Sequence, residues 1–197
     1  MKKRNRRRRT KKRRANRIAV GILTVVFLLL CLFLYLCLTV WKGNPSEEGI
    51  EYLKNGQYEE AIEQFGQAVE EEINVADAYR GIGLARWEQE DYEGARDAFQ
   101  KALEQKTEQP FTGTIYNLLG ICEMKLNNPA SAKDYFQLGI GLKGNSAELD
   151  REMKYNLIVA FEQTGDWESA KAKLAEYTAE YPNDANALKE LQFLETR

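Results

Sequence analysis

The chain has 197 residues, with 28 Lys and Arg against 30 Asp and Glu, and it contains no histidine. That composition excludes Ser–His triads, imidazole general bases and His-ligated metal sites. Two of the three cysteines, Cys31 and Cys37, share one apolar run, so Cys122 has no partner elsewhere for a disulfide or a cysteine zinc cluster.

The near-neutral total conceals a separation of charge. Twelve basic residues and no acid lie in Lys2–Arg17, whereas 15 basic and 30 acidic residues follow from Gly43 onward. A polycation and a polyanion are joined by an apolar segment.

That segment, Ile18 to Trp41, runs 24 residues without a charge. As a helix it would be about 36 Å long, against a hydrocarbon core of about 30 Å. Sixteen of its residues are Leu, Ile, Val or Phe, together worth roughly −5 to −10 kcal/mol of insertion free energy. A transmembrane helix is expected. A cleaved signal peptide would have a shorter apolar stretch and a small-x-small site, and Leu38-Thr39-Val40-Trp41-Lys42 offers none. An uncleaved signal anchor therefore fits better. The positive charge before the span places the N-terminus in the cytoplasm and residues 43–197 outside it, as a single-pass plasma-membrane protein. Trp41 stands where an interfacial aromatic anchor belongs.

The basic tail suffices as topogenic charge, and it would also lie on anionic lipid. Arg6–Arg9 and Lys11–Arg14 carry no aromatic residue for base stacking, which argues against specific nucleic-acid binding.

Beyond Gly43-Asn44-Pro45-Ser46 the chain is rich in helix formers and shows no strand-like alternation. Self-alignment reveals a period of 34 residues. Gly49, Tyr52, Gly56, Tyr58, Ala61, Phe65 and Ala68 are matched by Gly83, Arg86, Glu90, Tyr92, Ala95, Phe99 and Ala102. A third copy contains Tyr116, Gly120, Pro129, Ala132, Phe136 and Gly139, and a fourth Ile158, Gly165, Trp167, Ala170, Leu174, Tyr177 and Pro182.

This pattern resembles the tetratricopeptide repeat over roughly residues 46–182. The resemblance implies an all-α fold: about four helix-turn-helix repeats in a right-handed solenoid, with 183–197 as a capping helix and the transmembrane helix in front. Gly49, Gly83 and Gly120 are expected to face Ala61, Ala95 and Ala132, with Phe65, Phe99, Phe136 and Leu174 filling the space between repeats. The turns at Gly56 and Gly165 predict left-handed helix ends. Three residues are inserted near Glu108-Gln109-Pro110 and four more before repeat four. Ile158 and Tyr177, at positions usually small, predict looser or locally altered packing in repeat four, and Lys143-Gly144-Asn145-Ser146 is expected to be the flexible point.

Chemistry finds little support. Gly139-Ile140-Gly141-Leu142-Lys143-Gly144 matches G-x-G-x-x-G, but it ends a helix rather than opening one after a strand, so helix termination is the better reading. The carboxylates Glu47, Glu48, Glu59, Glu60, Glu63 and Glu70–Glu72 fall on outward faces. Cys122 is expected to be a buried packing residue. No enzyme, cofactor or metal is implied.

The resemblance points instead to a groove lined by the first helix of each repeat. Its stripe runs through Asp77, Arg80, Leu84 and Trp87, then Thr114, Asn117, Ile121 and Met124, then Glu152, Tyr155, Val159 and Glu162. Arg80, Leu84, Trp87, Asn117, Ile121, Met124, Tyr155 and Val159 are the candidate contacts for a protein or peptide ligand, with Asn117 positioned to hold backbone. Trp87 and Met124 equally suit packing between neighbouring helices. Ser46 and Ile50 stand where chaperone-binding members carry the Lys and Asn of their carboxylate clamp, so that mode is absent. The layout is similar to envelope scaffolds serving secretion, chaperoning or envelope assembly. A self-assembling component or a bitopic division protein is the alternative.

Overall fold

The computed structural model describes Thr24 and residues 27–35, 43–105 and 111–196. The chain divides into two compact units after Gly43.

In the first unit residues 27–35 are helical. All nine are apolar or aromatic and all are exposed, with Phe27, Leu28 and Tyr35 each at 65%. The rest of the apolar run and the basic tail lie outside the described residues. Among the described residues no helix is long and apolar enough to cross a membrane.

The second unit is a succession of helical hairpins: α1 (Pro45–Lys54) with α2 (Tyr58–Glu70), α3 (Val75–Glu88) with α4 (Tyr92–Glu104), α5 (Thr112–Lys125) with α6 (Pro129–Gly139), and α7 (Ala147–Gln163) with α8 (Trp167–Glu180). The last helix, α9 (Ala185–Glu195), covers the end. Local chemistry sets most boundaries. The Asp91, Asp166 and Ser146 side chains accept from the backbone N–H of Gly94, Ser169 and Leu149 at 2.9, 3.2 and 3.1 Å, closing the starts of α4, α8 and α7. Pro45 and Pro129 stand at the first turns of α1 and α6, where a missing N–H costs nothing. Each hairpin turns through one left-handed residue at the same repeat position: Gly56 (φ 74°), Glu90 (61°), Asn127 (61°) and Gly165 (74°).

The second helix of each hairpin buries an i, i+4, i+7 row: Ala61, Phe65 and Ala68; Ala95, Phe99 and Ala102; Ala132, Phe136 and Gly139; Ala170, Leu174 and Tyr177. α1 packs on α3 and α5 on α7 as well as on their hairpin partners, whereas the second helices do not approach one another to that extent. The first helices therefore form the inner layer and present the groove face.

The structure refines three sequence expectations. The side chain nearest each repeat glycine is the aromatic residue: a Cβ at Gly49 would stand 2.8 Å from the Phe65 ring, and one at Gly83 2.5 Å from the Phe99 ring. A Cβ at Gly81 of the following repeat would likewise stand 2.5 Å from the Phe65 ring. Repeat four is locally altered and not loose. Ile158 is 1% exposed and Leu174 0%, and both pack in one cluster with Ala170, Tyr177, Ala187 and Leu194. The Lys143–Ser146 connection is tied down rather than free. Asn145 Nδ2 donates to the Gly139 carbonyl at 2.9 Å and to Asp150 Oδ1 at 2.6 Å, while Asp150 Oδ1 also accepts from Gly141 N–H at 3.3 Å. Gly141 and Gly144 supply the positive φ this path needs, at 76° and 98°. Gly139 closes α6, in keeping with helix termination. The insertion at Glu108-Gln109-Pro110 lies outside the described residues.

Candidate binding groove

Cys122 is fully buried, and burial pushes its thiol up to about 12, as suits a packing residue. The acids at 47, 48, 59, 60, 63 and 70–72 are all exposed.

The groove stripe is mostly half-buried, with Asn117 enclosed. On α3, Arg80 Nε donates to Asp77 Oδ1 at 3.3 Å, and its guanidinium lies 4.3 Å over the ring of Phe111. This stack joins repeats two and three. Leu84 and Trp87 pack against the cluster of Ala95, Phe99, Ile115 and Leu119, and Trp87 meets Tyr92 edge-on at 5.1 Å. Ile121 and Met124 rest against Phe136, Met153 and Leu157. For Trp87 and Met124 the packing role is thus evident, and only their outer faces are available to a ligand.

Asn117 differs from the expectation. Its Nδ2 donates to Glu152 Oε1 at 3.0 Å and its Oδ1 accepts from Asn156 Nδ2 at 3.2 Å, so the amide bridges α5 to α7. The bridge satisfies a buried polar group and sets the angle between two repeats. It leaves little of the amide for a ligand backbone.

On α7, Tyr155 packs on the Ile158–Leu174 cluster and tilts against Tyr177 at 5.6 Å. It borders a hollow of about 380 Å³ with Glu148, Arg151, Glu152, Asn156, Asp184 and Asn186 on its walls. Burial raises the Tyr155 phenol above its ordinary value, and the charges of Glu190, Glu162 and Asp184 add to that. Burial, helped by Glu190, also raises the carboxyl of Glu162. Val159 lies one turn beyond Tyr155 on the same face.

Sequence reasoning missed the latch that holds α9. Asp184 caps α9 by accepting from Asn186 and Ala187 N–H, both at 3.2 Å. It also accepts from Arg151 at 2.8 Å and from the Tyr177 hydroxyl at 3.0 Å. Arg151 first, then the cap and Tyr177, hold its carboxyl down at about 2. The available signal was Arg151 and Asp184 standing about one repeat apart, with Asp184 just after Pro182. Glu190 was missed because it sits on the cap helix, outside the repeat pattern. A second hollow, about 340 Å³, opens on the other side of α7 over Ile140, Leu157 and Tyr177, beside the ion pair Lys154–Glu180 at 2.6 Å.

Comparison with known proteins agrees with this geometry. Models described as tetratricopeptide repeat match residues 46–110, 113–146 and 152–184, together well over half of the chain. A type IV pilus assembly protein, PilF of Pseudomonas aeruginosa, is 30% identical over 95 residues, covering 47% of this chain and 36% of that protein. The heat-shock cognate co-chaperone sgt12 of Aspergillus fumigatus is 33% identical over 70 residues, covering 34% of this chain and 20% of that one. The chain thus spans a fifth to about a third of the length of these relatives. Among solved structures, YrrB, described as a TPR protein with an unusual peptide-binding site, superposes with TM-score 0.65 at 25% identity, covering 77% of this chain and 75% of its own. MamA from Desulfovibrio magneticus RS-1 shares the fold at TM-score 0.64 and 19% identity, covering 79% of this chain and 86% of its own. The chain belongs to the tetratricopeptide-repeat family, through repeats that run from residue 46 to residue 184.

Proposed function

We propose that this protein is a membrane-anchored scaffold whose repeats, held outside the cytoplasm, bind a protein segment along the groove within a bacterial envelope complex for secretion, chaperoning or envelope assembly. The observation that carries the reading is the stripe from Arg80 through Ile121 to Val159, which stays half-exposed across three successive repeats. Flat, partly apolar strips of this kind gain affinity from a few aromatic and Arg anchors and from excluding water around them. The relation to a pilus assembly protein supports an envelope setting. For the anchor, the support is the uncharged run 18–41, the charge asymmetry around it, and the exposure of every described apolar side chain from 27 to 35.

The test places a photo-crosslinking amino acid at Thr114, in the middle of the groove, in the full chain in cells. A defined adduct that disappears when Val159→Arg fills the groove supports the reading. An adduct unchanged by Val159→Arg, or adducts formed equally from a label on the outer face at Glu63, would refute it. One observation favours self-assembly as the second reading: Leu188 and Phe193 of α9 are 39% and 48% exposed. Light scattering of the full chain in detergent decides, because a scaffold for other proteins stays monomeric.

A further inference from the structure

The charges along the groove are sorted. At its α3 end stands Arg80, stacked on Phe111 and bonded to Asp77 through Nε alone. The middle, Thr114, Asn117, Ile121 and Met124, is uncharged. At the α7–α9 end the face carries Glu152, Glu162 and Glu190, around the half-exposed Tyr155 and Val159.

The carboxylates at that end are not equivalent. Glu152 is engaged, accepting from Asn117. Glu162 is half-buried, and its Oε1 is enclosed without a hydrogen-bond partner. The charges acting on Glu162 are unfavourable: burial and the like charge of Glu190 both oppose its ionisation, and no cation offsets them. Cations do lie near this end of the solenoid, and none of them is paired with Glu162 or Glu190 among the described residues. Arg151 is bonded to Asp184 and Tyr177, and Lys154 to Glu180. Lys189 precedes Glu190 on α9, is exposed, and forms no ion pair among the described residues.

An enclosed carboxylate oxygen without a partner is costly, and a cation drawn to the open side of the same carboxyl group would offset part of that cost. Beside it Tyr155 supplies an aromatic face, which attracts a cation through the ring quadrupole, and Val159 supplies apolar surface for an alkyl stem. Carboxylates, an aromatic face and an apolar strip together match a lysine or arginine side chain, with its hydrocarbon stem on Val159 and its charged head between Glu162 and Glu190.

We propose that the α7–α9 end of the groove, around Tyr155, Val159, Glu162 and Glu190, receives a basic side chain of an extended peptide. Resting on the groove reading above, it adds a direction: the peptide lies with its basic end at α9 and its acidic or carboxylate end at Arg80. The charge order therefore sets the polarity of binding as well as its strength.

The probes are fluorescein-labelled ten-residue peptides on a common Leu/Ser/Tyr background, carrying Lys, Glu or Ser at one end and binding the full chain in detergent micelles. Because residues 43–197 are strongly acidic as a whole, two double variants separate site from bulk charge. Glu162→Gln with Glu190→Gln removes two charges in the groove, and Glu59→Gln with Glu63→Gln removes two on the outer face. The Lys peptide should bind at least tenfold more tightly than the Ser peptide. The groove double variant should erase most of that preference, and the outer-face variant should leave it within twofold, with unchanged circular dichroism in both. Equal losses in the two variants would reduce the effect to bulk charge and overturn the proposal. Tight binding of all three peptides alike would overturn it while leaving the groove reading intact. No binding of any peptide would refute both.

Discussion

Identical Gly→Ala substitutions should have opposite effects at two positions seventeen residues apart. Gly66 lies inside α2, and a Cβ there would meet nothing within 4 Å. Alanine restricts the unfolded chain and favours helix, so Gly66→Ala should stabilise by about 0.5–1 kcal/mol. Gly83 lies inside α3, and its Cβ would stand 2.5 Å from the Phe99 ring. Carbon atoms prefer about 3.5–4.0 Å, so the ring or the helix must move by about 1 Å. Phe99 is 0% exposed and enclosed by Ala95, Ala102, Ile115 and Leu119, so the ring has nowhere to go. Overpacking of this kind costs about 1–3 kcal/mol, more than the helix-propensity gain. In thermal unfolding followed by circular dichroism, Gly66→Ala should raise Tm by about 2–4 °C and Gly83→Ala lower it by about 2–8 °C. Adding Phe99→Leu to Gly83→Ala should recover part of the loss, since repeat four already combines a larger residue, Ile158, with Leu174. A rise in Tm for Gly83→Ala equal to that for Gly66→Ala would mean that glycine and phenylalanine are not in contact, and the account of repeat packing would fall.

Further outcomes follow from single positions. Glu90 occupies the left-handed position that Gly56 and Gly165 fill elsewhere, with φ 61°, so Glu90→Gly should be neutral to stabilising by up to about 1 kcal/mol despite introducing glycine; a clear loss of Tm would refute this. Cys122, fully buried and with its thiol pushed up to about 12, should resist iodoacetamide in the native protein at pH 8 and react at the rate of unfolding, read by mass spectrometry of its peptide. Asp184 has its carboxyl lowered to about 2, so its hold on α9 is complete above the ordinary carboxylate range and is lost as pH falls through about 2. Hydrogen exchange of α9 should therefore be faster in Asp184→Asn than in the wild type at pH 7, with the difference shrinking below about pH 4. A gap that widened on acidification would reverse the sign.

The helical architecture was readable because each repeat states it several times over. Ala61, Phe65 and Ala68 recur as Ala95, Phe99 and Ala102, and a helical row with matched turn glycines has no strand counterpart. Which side chain comes nearest each glycine was not readable, because spacing places Gly83 near both Ala95 and Phe99 and only the three-dimensional placement puts the ring first. Repeat four misled for the same reason. Ile158 departs from the glycine pattern, yet it is enclosed in one cluster with Leu174, sixteen residues away, and with Ala187 and Leu194 of α9, which lie outside the repeat.

The groove was legible as a stripe, and its chemistry was not. Period and position marked Arg80, Asn117 and Tyr155 as equivalent, yet the structure gives them three different tasks: a stack on Phe111, a bridge to α7, and a wall of the α9 hollow. The difference arises from what the neighbouring repeat offers each side chain, information that lies 30–40 residues away in the chain and outside any single repeat. Asn117 shows the consequence most clearly. An amide at a groove position invites the idea of a clamp for ligand backbone, but its bonds to Glu152 and Asn156 make it part of the scaffold that sets the groove's curvature. Asn117→Ala would therefore alter binding by releasing α7 from α5, with water taking the place of the lost donor at the exposed Glu152. A loss of peptide affinity in that variant would report on the geometry of the groove. Substitutions at Val159, Glu162 and Glu190, which carry no such bridge, are the ones that report on contact.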